Sequence, residues 1–231
     1  GFKIRTVQLF KKTQVDHSFQ KTEVESLLGI LKGNGVMAEK VEYDFNVSAE
    51  QKNNAERLLK KKWPRLASKT PLIIVSPGGK RETNQWPIER FAEVVKYLNE
   101  KYGAKIIVVG GKNDVEKAEV IKSAVGDKSV LITAGKLDFM ETFELLKRGS
   151  FLISNSTGMI HLAAAAGLPC VGLYGVRDVF GRWFPYGENH KILYHKFLDC
   201  DYEKDECIKK SIEAISVEEA KNACGKLMIK T

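Results

Sequence analysis

From Pro71 onward the chain alternates short β-branched runs with amphipathic stretches of helical length, and few folds accept that alternation. Strand–crossover–strand units of this kind pair in parallel and need helices over both faces of the sheet. Leu72–Ser76 reads as a buried strand. Pro87–Glu100 places Ile88, Phe91, Val94, Val95 and Leu98 at three-to-four spacing, which predicts a helix with one apolar stripe. The same reading gives a strand at Lys105–Val109 ending in Gly110-Gly111, a helix at Asp114–Val125 and a strand at Val130–Ile132. A helix at Phe139–Lys147, a strand at Phe151–Ser154, a helix at Thr157–Ala166 and a strand at Cys170–Tyr174 follow. The fold class is α/β, a doubly wound parallel sheet over 71–231. Ligands of such sheets lie beyond the carboxyl ends of the strands, so the loops from Pro77, Gly110, Thr133, Asn155 and Gly175 carry the search.

The first seventy residues read differently. A strand is expected at Ile4–Phe10, a helix over Gln20–Leu31, a short strand at Lys40–Phe45 and a charged helix at Ala49–Lys62. That is too little for a second domain of the same type. Trp63-Pro64 and the polar Arg65–Thr70 read as a linker, because proline ends the helix. The expected organisation is a remnant of another domain plus linker over 1–70, then the doubly wound domain with a C-terminal helix over 71–231.

Lysine and arginine number 37 against 29 acidic residues, an excess of +8 that suits anionic partners. The cations are interspersed with carboxylates and form no aromatic–basic stripe, so nucleic acid is not the expected partner. The longest nearly apolar stretch, Leu162–Gly175, is shorter than the ~20 residues of a membrane span. The start, Gly1-Phe2-Lys3-Ile4-Arg5, lacks the apolar core of a secretion signal. Cys170, Cys200, Cys207 and Cys224 contain no C-x-x-C pair, which favours a reduced, cytoplasmic protein. Cys170 reads as core; pairing or metal binding by Cys200 and Cys207 stays open as the lesser alternative.

Two segments could carry chemistry. Ser154-Asn155-Ser156-Thr157-Gly158-Met159-Ile160-His161 runs from a strand end into the Ala-rich helix. A helix N-terminus offers unpaired N–H groups and partial positive charge to an anion, and the hydroxyls of Ser156 and Thr157 add donors. Gly158 removes bulk where a ligand would approach, and His161 lies one turn past Thr157 on the same face. The same residues also fit an ordinary helix cap with a core histidine. The second segment, Ser76-Pro77-Gly78-Gly79-Lys80-Arg81-Glu82-Thr83-Asn84-Gln85-Trp86-Pro87, is a glycine-rich loop with two cations. It can cradle phosphate, although it is not a Walker loop; a flexible loop with solvated charges is the competing reading.

Taken in order, these motifs are a strand with Pro-Gly, a Trp-Pro nine residues later, a strand with Gly-Gly, a Ser-Thr-Gly-x-x-His-Leu-Ala-Ala-Ala helix and a strand ending Leu-Tyr-Gly. The series resembles glycosyltransferase family 9, the bacterial heptosyltransferases, chiefly over Pro71–Leu227, where Ile212–Leu227 reads as an amphipathic helix. Val15–Val36 resembles the end of that family's first domain. The resemblance implies the C-terminal half of a two-Rossmann-domain (GT-B) inverting transferase that binds ADP-heptose and acts on a lipopolysaccharide-core or other glycan acceptor. It implies a cytoplasmic location, with peripheral association at the inner face of the membrane. It assigns the pyrophosphate and sugar contacts to Thr157, Gly158 and His161, an adenine contact to Leu137, and the donor-phosphate loop to Gly79 and Lys80. Two positions depart from the family pattern: Ser156 stands where Asp is usual, and Asn84 where Lys is frequent.

The family's catalytic base belongs to the first domain. Asp16 and His17 are nearest by position but match no motif, so no catalytic residue is assigned. Neither a metal nor another cofactor is called for, since positive charge can stabilise the departing diphosphate. A second hypothesis is a non-catalytic nucleotide-sugar-binding module.

Overall fold

The structure, a computed structural model, describes residues 22–37, 41–197 and 204–229. The predicted strand at Ile4–Phe10 and the candidates Asp16 and His17 lie outside them. Two helices come first, α1 (Glu23–Gly33) and α2 (Ala49–Lys62). Then β1 (Leu72–Ser76), α3 (Ile88–Tyr102), β2 (Lys105–Val108), α4 (Val115–Val125), β3 (Val130–Ile132) and α5 (Phe139–Leu146) alternate. The chain continues as β4 (Phe151–Asn155), α6 (Gly158–Ala165), β5 (Cys170–Tyr174), β6 (Lys191–Tyr194), α7 (Asp205–Glu213) and α8 (Val217–Met228).

All six strands are parallel, in the order β3-β2-β1-β4-β5-β6. Alternate strand residues feed opposite cores, because successive side chains leave a strand on opposite faces. Ile73 and Val75 of β1, Ile106 and Val108 of β2 and Phe151 and Ile153 of β4 meet α3, α4, α7 and α8. Ile74, Ile107, Leu152 and Cys170 meet α2, α5 and α6. The result is a three-layer sandwich with the order reversal between β1 and β4, where a crevice opens beyond the strand ends.

Three readings are corrected and one element was missed. Residues 41–48 form no strand; Phe45 instead packs its ring on Phe143 and Phe139, at centroid distances of 4.7 and 5.9 Å. The sixth strand, β6, was not foreseen. The expected C-terminal helix is two, broken between Glu213 and Val217, where Ser216 caps α8 in a capping box with Glu219. The reduced-cysteine expectation also fails in part: Cys207 is disulfide-bonded, whereas Cys170 and Cys224 are free and buried.

Helix α2 and the segment after it lie against the sheet domain. Gln51 Nε2 donates to Asp138 Oδ2 at 2.9 Å, Asn54 Nδ2 to Glu141 Oε1 at 2.5 Å, and the buried Trp63 indole to the Lys128 carbonyl at 2.8 Å. Among the described residues no helix is long and apolar enough to cross a membrane.

Candidate functional site

The reversal between β1 and β4 brings together the two segments singled out in the sequence. Asn155, the last residue of β4, is fully buried and ties them. Its Oδ1 accepts from the Trp86 amide at 2.9 Å, and its Nδ2 donates to the carbonyls of Pro77 (2.8 Å) and Gly78 (3.2 Å). Trp86 closes the far end of the loop: its indole donates to the Ile215 carbonyl at 2.8 Å and its ring packs edge-on against Phe91. Between these anchors Gln85 Nε2 holds the Gly79 carbonyl at 2.8 Å, and Lys117 Nζ holds Gln85 Oε1 at 2.7 Å. The glycine-rich loop is thus a braced element rather than a flexible one. Satisfying its buried polar groups requires a side chain from a strand about seventy residues away.

The crevice has two connected parts. The larger, of ≈ 620 Å³, is lined by Ser76 and Gly78–Lys80 from the β1 loop, Gly110–Asp114 from the β2 loop, and Ser156–Met159 at the start of α6. That volume is in the range of small-molecule sites. The smaller, of ≈ 200 Å³, shares Gly79, Lys80 and Ser156 and adds Arg81, Asn84, Arg177 and Asp178.

At the α6 terminus Thr157 is the N-cap, its hydroxyl accepting from the Met159 amide at 3.3 Å. The capping reading therefore holds for Thr157; the Ile160 amide bonds the Thr157 carbonyl at 3.1 Å, and Gly158 and Met159 line the crevice at the positive end of the helix dipole. Gly158 is the first residue of α6, and a methyl group there would meet nothing within 4 Å. Nothing inside the molecule demands glycine at this place.

Across the crevice Asp114 Oδ2 accepts from the Gly111 amide at 2.8 Å. The carboxylate presses on Gly78 and Gly110 so closely that neither could carry a Cβ, and Gly110 also has φ +148°. Sequence reading missed Asp114, Arg177 and Asp178. Their signals were the Gly-Gly and Tyr-Gly strand ends, which mark the loops but not the side chains.

Ser156 borders both parts of the crevice, and Asn84 lines the smaller one. The Tyr174 hydroxyl beside them donates to the Trp183 carbonyl at 2.8 Å. Burial pushes the Tyr174 phenol far up, with Asp178 adding to the shift and a side-chain hydrogen bond from Ser156 opposing it. His161 lines neither part; it stands at the rim, edge-on to Trp183 at 6.5 Å between centroids. Desolvation holds its imidazole below the ordinary value against the pull of Asp178. Leu137 also lines neither part: half-buried, it packs on the core that contains Ile74 and Ile107. Among the described residues no group of three or more His, Cys, Asp or Glu is placed to hold a metal.

The family model of glycosyltransferase family 9 (heptosyltransferase) matches residues 2–213. The chain is 30% identical over 115 residues to lipopolysaccharide heptosyltransferase 2 of Salmonella typhimurium, covering 48% of this chain and 32% of that protein. It is 27% identical over 134 residues to lipooligosaccharide heptosyltransferase 2 of Haemophilus influenzae, covering 56% and 38%. A solved family 9 glycosyl transferase from Veillonella parvula superposes with TM-score 0.80 at 22% identity, over 95% of this chain and 63% of that one. The structure of Escherichia coli ADP-heptose lps heptosyltransferase II superposes with TM-score 0.70 at 18% identity, over 93% and 64%. These likenesses give the fold, and the chain spans about a third of the length of those curated relatives. With the family model matched from residue 2 to residue 213 on a parallel sheet of this order, the chain belongs to glycosyltransferase family 9, the heptosyltransferase family.

Proposed function

We propose that this chain is the donor-binding half of a heptosyltransferase-type glycosyltransferase. It takes a nucleotide diphosphate sugar, ADP-heptose, for transfer with inversion to a lipopolysaccharide-core acceptor at the inner face of the cytoplasmic membrane. The observation that carries the reading is the larger crevice. A braced glycine-rich loop with Lys80, a second loop with Lys112 and the amides at the start of α6 converge there on one space, at the order reversal of the sheet. Cations and oriented amides are what a diphosphate leaving group needs, since negative charge develops on it as the glycosidic carbon departs. Several heptosyltransferases in the same family support ADP-heptose as the donor; one solved Escherichia coli relative is described with ADP and with ADP-2-deoxy-2-fluoro heptose. The acceptor's general base is assigned to no described residue.

Titration calorimetry with ADP, joined to amide shift mapping, tests the reading. Weak saturable binding with perturbation at Gly79, Lys80 and Gly158 is expected. Absence of heat and of shifts at millimolar ADP would refute it. Because a GT-B reaction takes place between two domains, this chain alone should release no ADP from ADP-heptose in the presence of lipopolysaccharide acceptor. Robust turnover would show that the base lies within these 231 residues.

A further inference from the structure

We infer that the smaller part of the crevice is a polyol subsite, with Asp178 as the residue that reads the sugar's hydroxyls and Asn84 as its positioning partner; this rests on the donor-binding reading above. The loop after β5 carries Arg177 and Asp178, and both line this part together with Lys80, Arg81, Asn84 and Ser156. Asp178 is the single carboxylate among those lining residues. Among the described residues its side chain takes one hydrogen bond, a long one of 3.4 Å from Asn84 Nδ2 to Oδ2.

A half-buried carboxylate with spare acceptor capacity is a poor neighbour for a phosphate, which it repels, and a good one for hydroxyl groups, which donate to it. Ser156 adds a hydroxyl that can give or take, and the arginines add donors for hydroxyl oxygens. On its other side Asn84 Oδ1 is buried beside Gly175 with no hydrogen-bond partner among the described residues. The carboxamide turns its N–H group to Asp178. The two parts of the crevice meet at Gly79, Lys80 and Ser156, so a group joined to the distal phosphate of a nucleotide in the larger part enters the smaller part directly. That group is polyhydroxylated in a nucleotide sugar.

The charge pattern permits a competing occupant, an anionic group of the acceptor bound by Arg81 and Arg177. The two predict opposite responses to the same nearly isosteric change. Asp178→Asn removes a strong acceptor and a negative charge together. A polyol should bind less well to the variant, and an anion better.

The test compares ADP with ADP-heptose by calorimetry on the wild-type chain and on Asp178→Asn, with thermal unfolding as the check on folding. Loss of one or two hydrogen bonds to a charged acceptor should lower the ADP-heptose affinity by about tenfold. ADP affinity should stay level or rise slightly. Asn84→Ala should give the same split between the ligands at smaller amplitude. An ADP-heptose to ADP affinity ratio that does not fall in Asp178→Asn overturns the assignment while leaving the donor reading in place, and so does tightening of both ligands in parallel. Failure of the wild-type chain to bind ADP overturns both.

Discussion

Asn155→Asp isolates the clamp between the two halves of the crevice. The change keeps the acceptor for the Trp86 amide but puts an oxygen where Nδ2 now donates to the Pro77 carbonyl at 2.8 Å and the Gly78 carbonyl at 3.2 Å. Two buried hydrogen bonds go, at about 1–1.5 kcal/mol each. A carboxylate facing two carbonyls in the core would also have its pKa raised, and each unit costs about 1.4 kcal/mol. A rise of two units brings the total near neutral pH to roughly 4–6 kcal/mol, comparable to much of a domain's stability of about 5–15 kcal/mol. The sign follows from linkage: a raised folded-state pKa leaves the ionisation penalty absent below the unfolded value of about 3.9 and full above the folded one. Protonated, the new group can also donate to the Pro77 carbonyl and recover one bond. Urea unfolding of variant and wild type across pH 4.5–8 should therefore show a deficit growing with pH by about 2 kcal/mol, the part of a two-unit shift that lies above pH 4.5. A deficit that is flat with pH, or below about 1 kcal/mol throughout, would show that Asn155 does not hold the loop as argued.

Gly158→Val should leave the unfolding midpoint of the chain almost unchanged, because the site is empty around the glycine, yet lower ADP affinity by about tenfold through steric exclusion; calorimetry and thermal melting on one preparation separate the two. Ser156→Asp sets a second carboxylate beside Asp178 and the diphosphate path, and should weaken ADP by about 1 kcal/mol from repulsion and a lost donor; equal ADP affinities would show that Ser156 does not face the phosphates. Thiol titration of unreduced protein in denaturant should find two reactive groups, Cys170 and Cys224. In the folded state neither should react readily, since burial pushes both thiols far up; four thiols before reduction would contradict the disulfide at Cys207.

Where helix and strand alternate, sequence periodicity located the elements well: β1, β3 and β5 carry the bounds expected of them. The alternation stops after Tyr174, and β6 escaped because a helix-free loop, 175–190, leads into four half-buried residues at a sheet edge. Phe45 shows the opposite error. Its alternating neighbourhood mimics a strand, but the apolar ring is satisfied by α5 rather than by a strand partner. The divided C-terminal helix was legible in Ser216-Val217-Glu218-Glu219, a capping box inside the apparent amphipathic run. For the crevice, the glycine-rich loop and the α6 start were visible because backbone geometry leaves a mark in residue type. Asn155, Asp114 and Asp178 were not, because each acts through a partner distant in sequence or across a loop.

The strand order has a consequence for how the chain could be divided. Residues before Gly149 supply β1, β2 and β3, and those after it supply β4, β5 and β6, with β1 and β4 meeting along one seam of four residue pairs. Cutting the turn at Arg148–Ser150 would leave two fragments that each own one bank of the crevice, the glycine-rich loop on the first and the α6 start on the second. Nucleotide would then bridge the banks, and the fragments should reassemble more tightly when it is present. If the crevice binds nucleotide as proposed, the same geometry would make the ligand a latch on the seam of the intact chain.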